Sequence, residues 1–358
     1  VTPDDGRRAD GTRMGWSPAQ ETIPAVVDAQ GVARVTFTFP REQGYRFRIS
    51  RNDGGEPAAL RTLGEVAVYA VAGDLLALRP FAGDLHMHST SSDGSQPGVC
   101  MAGLGRMKGL DFLALTDHRA YQPSLDLSAA VEASGSDLRC FPGEEVHDEY
   151  GVVHVVNFGG REAVSPLLTD RNSLAWPEIR ELEKQFAELD PDSRSAAAIT
   201  CWACRRIESI GGLSVYTHPF WKPYNRFWFP PEAHRAVMRA RPFSAWEGLT
   251  VYESFPDAYS YSFAEYARSA EGGNPPPVVG VTDSHSGEQD SFGGSLTLVL
   301  ARSCGYADIA DAIRQGRCVA VNRIINPNIP LIMGPARLVA YAAWLLREYF
   351  PQHDDLCR

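Results

Sequence analysis

The residues of this 358-residue chain that could carry chemistry are histidines and carboxylates near the ends of short apolar runs. His86 and His88 lie two residues apart in a run, Gly83 to His88, that predicts a β-strand. Side chains repeat every second residue along a strand, so both imidazoles leave one face while Leu85 and Met87 point the other way. Two imidazoles on one face are suitable ligands for a divalent transition-metal ion.

The same spacing recurs at Asp283 and His285, at the end of a predicted strand, Val278 to Thr282. Further donors lie in, at the end of or shortly after other predicted strands: Asp93, His118, Glu145, His154 and His218. Six of the nine histidines therefore lie with three carboxylates at or near strand ends. In a βα barrel those ends converge on one mouth. A single buried histidine is usually a satisfied core residue, but nine donors together favour a site for zinc, manganese or iron.

Strand-like runs that alternate with helical patterns predict an α/β fold with a parallel sheet or barrel. The predicted strands are Gly83 to His88, Phe112 to Thr116, Arg139 to Val146, Val152 to Phe158, Leu213 to Thr217, Trp246 to Tyr252, Val278 to Thr282, Leu296 to Ala301 and Cys318 to Val321. The predicted helices are Val99 to Lys108, Trp176 to Leu189, Ser195 to Ile210, Pro231 to Ala240, Phe263 to Ala270 and Tyr306 to Gln315.

Changes in composition divide the chain into four predicted regions. Residues 1–20 are a polar lead-in and residues 21–80 a small all-β domain. The strands expected in that domain are Ala33 to Phe39, Tyr45 to Ser50, Glu65 to Ala70 and Leu75 to Leu78. The α/β region covers residues 81–325, and residues 326–358 form a connector and an apolar helix, Ala336 to Tyr349. We expect this helix to pack over the α/β region or to form a contact between copies of the chain.

Composition narrows the possible partners and the compartment. The formal net charge of −10 opposes the broad basic surface that tracking a nucleic-acid backbone requires. No apolar run of membrane-spanning length and no signal peptide is visible, so we expect a cytoplasmic protein without membrane contact, although a chain that starts at Val1 leaves trimming open. An odd number of cysteines, seven, argues against a disulfide scaffold. Cys201 and Cys204 are either buried helical thiols or a metal or redox pair.

The donor motifs resemble those of the PHP family, the polymerase and histidinol phosphatase superfamily of metal-dependent hydrolases. The resemblance rests on segments in the family's order: Gly83-Asp-Leu-His-Met-His-Ser-Thr-Ser-Ser-Asp-Gly94, Thr116-Asp-His118, Pro142-Gly-Glu-Glu145, His154, Thr217-His-Pro219 and Asp283-Ser-His285. It implies a distorted (β/α)7 barrel with two or three divalent ions at its C-terminal mouth. The preceding β region and the Phe-Pro-Gly-Glu-Glu segment are similar to the carbaryl-hydrolase-like (CehA/McbA-like) branch.

The resemblance also implies a ligand assignment for a trinuclear metal site. One ion would be held by His86, His88, Glu145 and Asp283, and a second by Glu145, His154 and His218, with Glu145 bridging. Asp93, His118 and His285 would hold a third. The choice of Glu145 over Glu144 follows the family's Pro-Gly-x-Glu pattern, so Glu144 should point to the opposite side of the strand.

Residues beside the donors are candidates for substrate contacts. Arg119, Lys222 and Arg226 would stabilise a phosphate, or they are solvated surface cations. Seven aromatic residues between Tyr216 and Phe229, Trp221 among them, form either a hydrophobic wall for an aromatic leaving group or packing at the rim. Asp117 and Glu253 are candidates for orienting imidazoles, or they form surface salt bridges. We predict no role for His147, His234 or His353, which match no motif.

Three functions fit this set of residues. The first is a phosphoesterase in which a hydroxide held between ions attacks phosphorus, with Asp283 and Arg119 as catalytic residues. The second is a carbamate, amide or ester hydrolase with the same metal site. The third is a non-catalytic module that holds metal and binds a partner.

Overall fold

The computed structural model describes residues 2–3, 20–51, 60–250, 257–288 and 291–357, which form a mixed α/β fold. The strands are β1 (Thr2–Pro3), β2 (Gln43–Arg51), β3 (Arg61–Ala70), β4 (Arg79–Asp84), β5 (Phe112–Ala114), β6 (Arg139–Phe141), β7 (Gly143–His147), β8 (His154–Phe158), β9 (Leu213–Tyr216), β10 (Ala245–Leu249), β11 (Val278–Gly280), β12 (Ser295–Ala301), β13 (Cys318–Asn322) and β14 (Leu331–Met333).

The described part of the chain contains eleven α-helices. They are α1 (Gly73–Leu76), α2 (Gly98–Met107), α3 (Gln122–Ser134), α4 (Ser165–Thr169), α5 (Ala175–Glu183), α6 (Pro191–Ser209), α7 (Pro231–Ala240), α8 (Asp257–Glu271), α9 (Tyr306–Arg314), α10 (Ala336–Glu348) and α11 (Phe350–Cys357). Among the helices described, none is long and apolar enough to cross a membrane.

The chain divides into two compact units. The smaller unit is the chain up to Ala77 together with Ala340–Pro351. Its sheet has the order β1-β2-β3 with antiparallel pairing. On one face of the β2–β3 hairpin, the rings of Tyr341 and Trp344 in α10 pack 4.7 and 5.7 Å from the ring of Tyr69. The neighbour of α10 in the structure is therefore this hairpin, which the sequence did not indicate.

Two expected strands of the small β domain are wrong. The first two residues of Leu75 to Leu78 end the short helix α1, whose only buried residue is Leu75, and the other two belong to no strand. In Ala33 to Phe39 the structure has a single bridge, between Val27 and Ala33, and no named strand. A short apolar run has too few residues to show whether it forms a strand, a helix or a packed loop. Most of the predicted lead-in lies outside the described residues.

The larger unit comprises Leu78–Val339 and Gln352–Arg358, and its strands form two sheets. One sheet has the order β11-β10-β9-β8-β7 and the other β14-β13-β12-β4-β5-β6, and no closed barrel is found among the described residues. The predicted strand Arg139 to Val146 is divided at Pro142, so that β6 joins one sheet and β7 the other.

Side chains and single bridges connect the two sheets. The Thr297 hydroxyl donates to the carbonyl oxygen of Gly280 at 2.7 Å and accepts from its N–H at 3.1 Å. A Cβ on Gly280 would lie 2.4 Å from the Leu296 carbonyl oxygen, so only glycine allows this approach. Beyond the strand ends, isolated parallel bridges join Met87 with Ser284 and His118 with Glu145. These bridges bring the predicted donors of both sheets to one place.

The core of the larger unit lies between the sheets and beneath the helices. One cluster contains Leu85, Phe112, Phe158 and Val279, and another packs α5, α6 and α7 on the five-stranded sheet. Cys201 and Cys204 are buried in α6, where burial raises the pKa of the Cys201 thiol to about 11. Such thiols behave as small apolar side chains. The pair therefore matches the interpretation as buried helical thiols.

Candidate metal centre

The carboxylate of Glu145, fully buried in β7, is the centre of a cluster of histidines. Its Oε1 lies 2.9 Å from His154 Nδ1 and 3.1 Å from His218 Nε2. Its Oε2 lies 2.6 Å from His118 Nδ1, 3.4 Å from His86 Nε2 and 3.6 Å from His88 Nε2. The two oxygens thus face different sets of imidazoles, as a carboxylate that bridges two ions would.

Asp283 adds a second carboxylate to the pair on the first predicted strand. Its Oδ1 lies 2.9 Å from His88 Nε2 and 3.3 Å from His86 Nε2, and these two nitrogens are 3.2 Å apart. The backbone φ of Asp283 is 50°, a left-handed conformation that is unusual for a residue other than glycine. Strain of this kind is typical of functional sites, where surrounding contacts hold it.

A third group of donors lies nearer the surface. Asp93 Oδ2 is 3.3 Å from His118 Nε2, and Asp93 Oδ1 is 3.3 Å from His285 Nε2. The ring of His88 lies between them, with centroid distances of 4.2 Å to His118 and 4.3 Å to His285. Ligand atoms of these four residues all lie within 4.8 Å of one another. All nine residues predicted as ligands are therefore gathered at one place.

The donor set fits divalent metal ions. Among the residues described, four groups could hold an ion: His86, His88 and Glu145; Glu145, His154 and His218; His88, Asp93, His118 and His285; and His118, Glu145 and His147. Glu145 Oε2 is buried and makes no hydrogen bond of acceptable geometry despite its close nitrogens. A buried charged oxygen without a partner is costly, and a cation among these donors would satisfy it.

The charges of the cluster reinforce one another. Burial opposes ionisation of Glu145, yet His154 and His86 hold its pKa well below the usual range. Burial also opposes the charge of His86, but Asp283, Glu247 and Glu145 raise its pKa well above the usual value. His88, in contrast, has a lowered pKa, chiefly because it is buried. Metal ions bind ionised carboxylates and unprotonated imidazole nitrogens, so an ion bound here would take the place of the protons on those nitrogens.

Two residues of the cluster were not predicted from the sequence. His147, to which we assigned no role, lies in the cluster with its Nε2 3.2 Å from Glu145 Oε2. The signal was available, because Glu145 and His147 repeat the spacing of the other two pairs. Glu247 in β10 is fully buried and accepts from His86 Nδ1 at 2.7 Å and from the His218 N–H at 2.8 Å. By fixing the Nδ1 proton, it leaves His86 Nε2 to face the cluster.

The residues expected to orient imidazoles do something else or cannot be placed. The Asp117 carboxylate accepts from the N–H and hydroxyl of Ser89 and from the Ser92 hydroxyl, at 2.7 to 2.8 Å. It therefore holds the loop that leads to Asp93, a contact that neither of the two interpretations of Asp117 included. Glu253 lies outside the described residues. Glu144 points away from the cluster as predicted, and its Oε1 accepts from the Val164 N–H.

The predicted substrate residues differ in burial and in their hydrogen-bond partners. Arg119 is exposed and donates from Nη2 to the carbonyl oxygens of Asp148 and Glu149, at 2.7 and 3.2 Å. Lys222 is buried and paired with Asp257. Arg226 is exposed.

The predicted aromatic wall contacts the histidine cluster through Trp221. The Trp221 ring lies 5.6 Å from the His218 ring and 6.2 Å from the His154 ring. Trp228 extends this wall, with its ring 5.5 Å from Trp221 and its Nε1 bonded to the Gly151 carbonyl oxygen at 2.7 Å.

Comparisons with known proteins give short or distant matches. No family model matches the chain. The DNA polymerase/3'-5' exonuclease PolX of Bacillus subtilis (strain 168) is 42% identical over 66 residues, which are 18% of this chain and 12% of that protein. The chain thus matches about an eighth of the length of this curated relative.

Similar solved structures include a protein described as PHP-like, an amidohydrolase and an endonuclease. A two-domain protein from Bacteroides vulgatus, described as containing a predicted PHP-like metal-dependent phosphoesterase, is 18% identical and aligns over 68% of this chain and 65% of its own, with a TM-score of 0.43. An amidohydrolase from Chromobacterium violaceum is 18% identical over 58% and 89%, with a TM-score of 0.39. The lesion-specific endonuclease EndoQ from Pyrococcus furiosus is 15% identical over 66% and 56%, with a TM-score of 0.39.

Proposed function

We propose that the protein is a metal-dependent hydrolase of phosphoesters and a member of the PHP family, in its carbaryl-hydrolase-like branch. The observation that carries the proposal is the position of Glu145, whose two oxygens face two sets of imidazole nitrogens at 2.6 to 3.6 Å. In this proposal the two sheets of the larger unit are the parts of a distorted seven-stranded barrel. The single bridges between Met87 and Ser284 and between His118 and Glu145 support that interpretation.

The proposed ligand sets are those that the family resemblance implies. His86, His88, Glu145 and Asp283 would hold one ion, Glu145, His154 and His218 a second, and Asp93, His118 and His285 a third. Two or three zinc, manganese or iron ions bound there would lower the pKa of water and polarise the substrate oxygen. The chain itself keeps these donors in place: Glu247 holds the His86 Nδ1 proton, and the Gly151 carbonyl oxygen faces His154 Nε2 at 3.0 Å.

Asp283 is the proposed proton acceptor. Its side chain is 27% exposed, whereas that of Glu145 is fully buried, so water and substrate can reach it. His86 and His88 contact its Oδ1 at 3.3 and 2.9 Å, which holds the carboxylate beside the other donors. Arg119 would approach a phosphate only by rotating from the carbonyl oxygens that it now binds.

A phosphoester is the first choice of substrate because ions flanked by imidazoles neutralise non-bridging phosphoryl oxygens. The name of the PolX relative includes an exonuclease, which cleaves phosphodiester bonds. The second candidate is an aryl carbamate or amide, and the rings of Trp221 and Trp228 beside His218 favour an aromatic leaving group in either case.

A comparison of two adjacent glutamates tests the proposal. The chelator-treated protein is supplied with manganese, zinc or iron and assayed with p-nitrophenyl phosphate, bis-p-nitrophenyl phosphate and p-nitrophenyl N-methylcarbamate. We expect metal-dependent phosphate ester cleavage that falls at least about a thousandfold in Glu145→Gln. Glu144→Gln is the matched control, since Glu144 is equally buried but faces the other side of β7, and its activity should stay within about tenfold of the wild-type activity. Carbamate turnover alone would favour the second candidate, and metal-independent or absent turnover of all three would reject a metal-dependent hydrolase.

A further inference from the structure

We propose that His147 is a metal ligand of this centre, a tenth donor that completes a subsite with His118 and Glu145. The inference rests on the proposed metal-dependent function, since it concerns the same cluster. It goes beyond that proposal because His147 belongs to none of the motifs from which the nine ligands were predicted.

The first argument is the position of His147 on its strand. Glu145 and His147 are two residues apart in β7, so their side chains leave the same face of the strand. His86 with His88, and Asp283 with His285, have the same spacing at two other strand ends. The cluster therefore contains three such pairs, and the pair in β7 includes the carboxylate at its centre.

The second argument is the pairing of β7 with β8. His147 is the direct antiparallel partner of His154, and the two rings stack with centroids 3.8 Å apart and planes 19° apart. The ring of His118 lies 4.5 Å from the His147 ring. His147 is 7% exposed, so its ring is buried beside two predicted ligands rather than at the surface.

The third argument concerns the donor atoms. His147 Nε2 lies 2.9 Å from His118 Nδ1 and 3.2 Å from Glu145 Oε2, and that oxygen lies 2.6 Å from His118 Nδ1. A proton shared by the two imidazoles would link them but leave Glu145 Oε2 without a hydrogen bond. A divalent cation held by these three atoms would satisfy Glu145 Oε2 as well as both imidazoles.

The loop behind His147 keeps the ring in this position. The Asp148 carboxylate accepts from the N–H groups of Val152 and Val153 at 2.7 and 2.8 Å. Arg119 Nη2 holds the Asp148 carbonyl oxygen at 2.7 Å, which ties the loop to the residue after His118. A fixed loop at this point preorganises the subsite before an ion binds.

Cobalt spectroscopy of cysteine variants distinguishes a ligand from a hydrogen-bonding side chain. Cobalt(II) is titrated into metal-free wild-type protein, His147→Cys and His234→Cys, and absorption is recorded. His234 is the matched control because it is also 7% exposed but lies apart from the cluster, bonded to the Tyr216 hydroxyl. We expect a thiolate-to-cobalt charge-transfer band in the near ultraviolet only in His147→Cys. If that variant binds cobalt without the band, the inference is wrong.

A second pair of variants covers the case in which the cysteine variant does not fold. In His147→Phe, cobalt affinity should fall at least about tenfold, whereas His147→Asp should retain it better because a carboxylate can replace the imidazole as a ligand. Equal affinities of these two variants would contradict the inference while leaving the proposed function intact. Wild-type protein that binds no cobalt, zinc or manganese would instead reject the proposed function itself.

Discussion

At the scale of single residues, two neighbouring glutamates in β7 differ in the direction in which their side chains point. Glu145 faces the imidazoles, whereas Glu144 faces the Val164 N–H, and burial raises the pKa of Glu144. The alternation of side chains along a strand assigns one carboxylate to the cluster and the other to the scaffold. The same alternation brings His147 to the face of Glu145.

Glu247 is not a proposed metal ligand, but it holds the proposed ligand His86. Its replacement therefore tests how much the position of His86 contributes to metal binding. We expect Glu247→Gln to weaken metal binding by about 10- to 100-fold, because loss of a carboxylate behind a ligating imidazole typically has that effect. The amide would also hold the His86 Nδ1 proton less firmly. Calorimetric titration of zinc into the metal-free variant measures the change. Glu144→Gln is again the control, and equal affinities of the two variants would show that Glu247 does not position His86.

Gly94 tests the third group of donors. A Cβ at this position would lie 2.7 Å from the His88 carbonyl oxygen and 2.8 Å from the Ser89 carbonyl carbon, so the loop would have to move. We expect Gly94→Ala to displace Asp93 and to lower the number of ions retained per chain, as measured by elemental analysis after desalting. Gly103→Ala is the control, because a Cβ there meets no atom within 4 Å. Unchanged metal content in Gly94→Ala would exclude Asp93 as a ligand.

At the scale of elements, the predictions were correct where a short sequence pattern determines the position of a residue on a strand. The strand-end positions of His86, His118 and Asp283 followed from apolar runs and from the period of two. Glu247 could not be found in this way, because its contact with His86 joins residues far apart in the sequence and depends on the packing of β10 beside β9. Helix α3 was missed for a different reason: only Ser124 and Leu127 are buried in it, so its apolar stripe is weak.

His353 joins helix α11 to Asp111. The charge of this histidine should make the stability of the protein depend on pH. His353 Nε2 lies 3.1 Å from Asp111 and Nδ1 3.2 Å from Asp354, and these carboxylates raise the pKa of His353 from 6.5 to about 9. The stabilisation is complete below pH 6.5 and is lost as the pH rises through about 9. We expect the free energy of unfolding to fall by roughly 1–3 kcal/mol over that range.

Urea unfolding at pH 6 and pH 9.5 measures this effect, with His353→Gln as the variant that should lose it. His234→Gln is the control with the opposite sign, since burial lowers the pKa of His234 to about 4. Its contribution to stability should change only as the pH falls below 6.5. A wild-type pH dependence that persists in His353→Gln would show that other groups cause it.

At the scale of the whole molecule, the proposed ligands come from both sheets of the larger unit. His86 and His118 follow strands of the six-stranded sheet, whereas Glu145, His154 and His218 belong to or follow strands of the five-stranded sheet. The described sheets do not close into one hydrogen-bonded barrel. Ions shared by donors from both sheets would therefore act as cross-links between the sheets. The folded state would then bind metal much more tightly than the unfolded chain does.

Metal binding should therefore stabilise the entire larger unit. At a free ion concentration one hundred times the Kd, the free energy of unfolding should rise by about 2.7 kcal/mol, because only the folded state has the site. Thermal unfolding with zinc or manganese, and again with chelator, measures the shift. Glu145→Gln should remove most of it, since this residue has donors of both sheets around it, whereas Glu144→Gln should keep it. A stabilisation that is equal in both variants would mean that the ions bind elsewhere, and the assignment of Glu145 as the bridging ligand would be wrong.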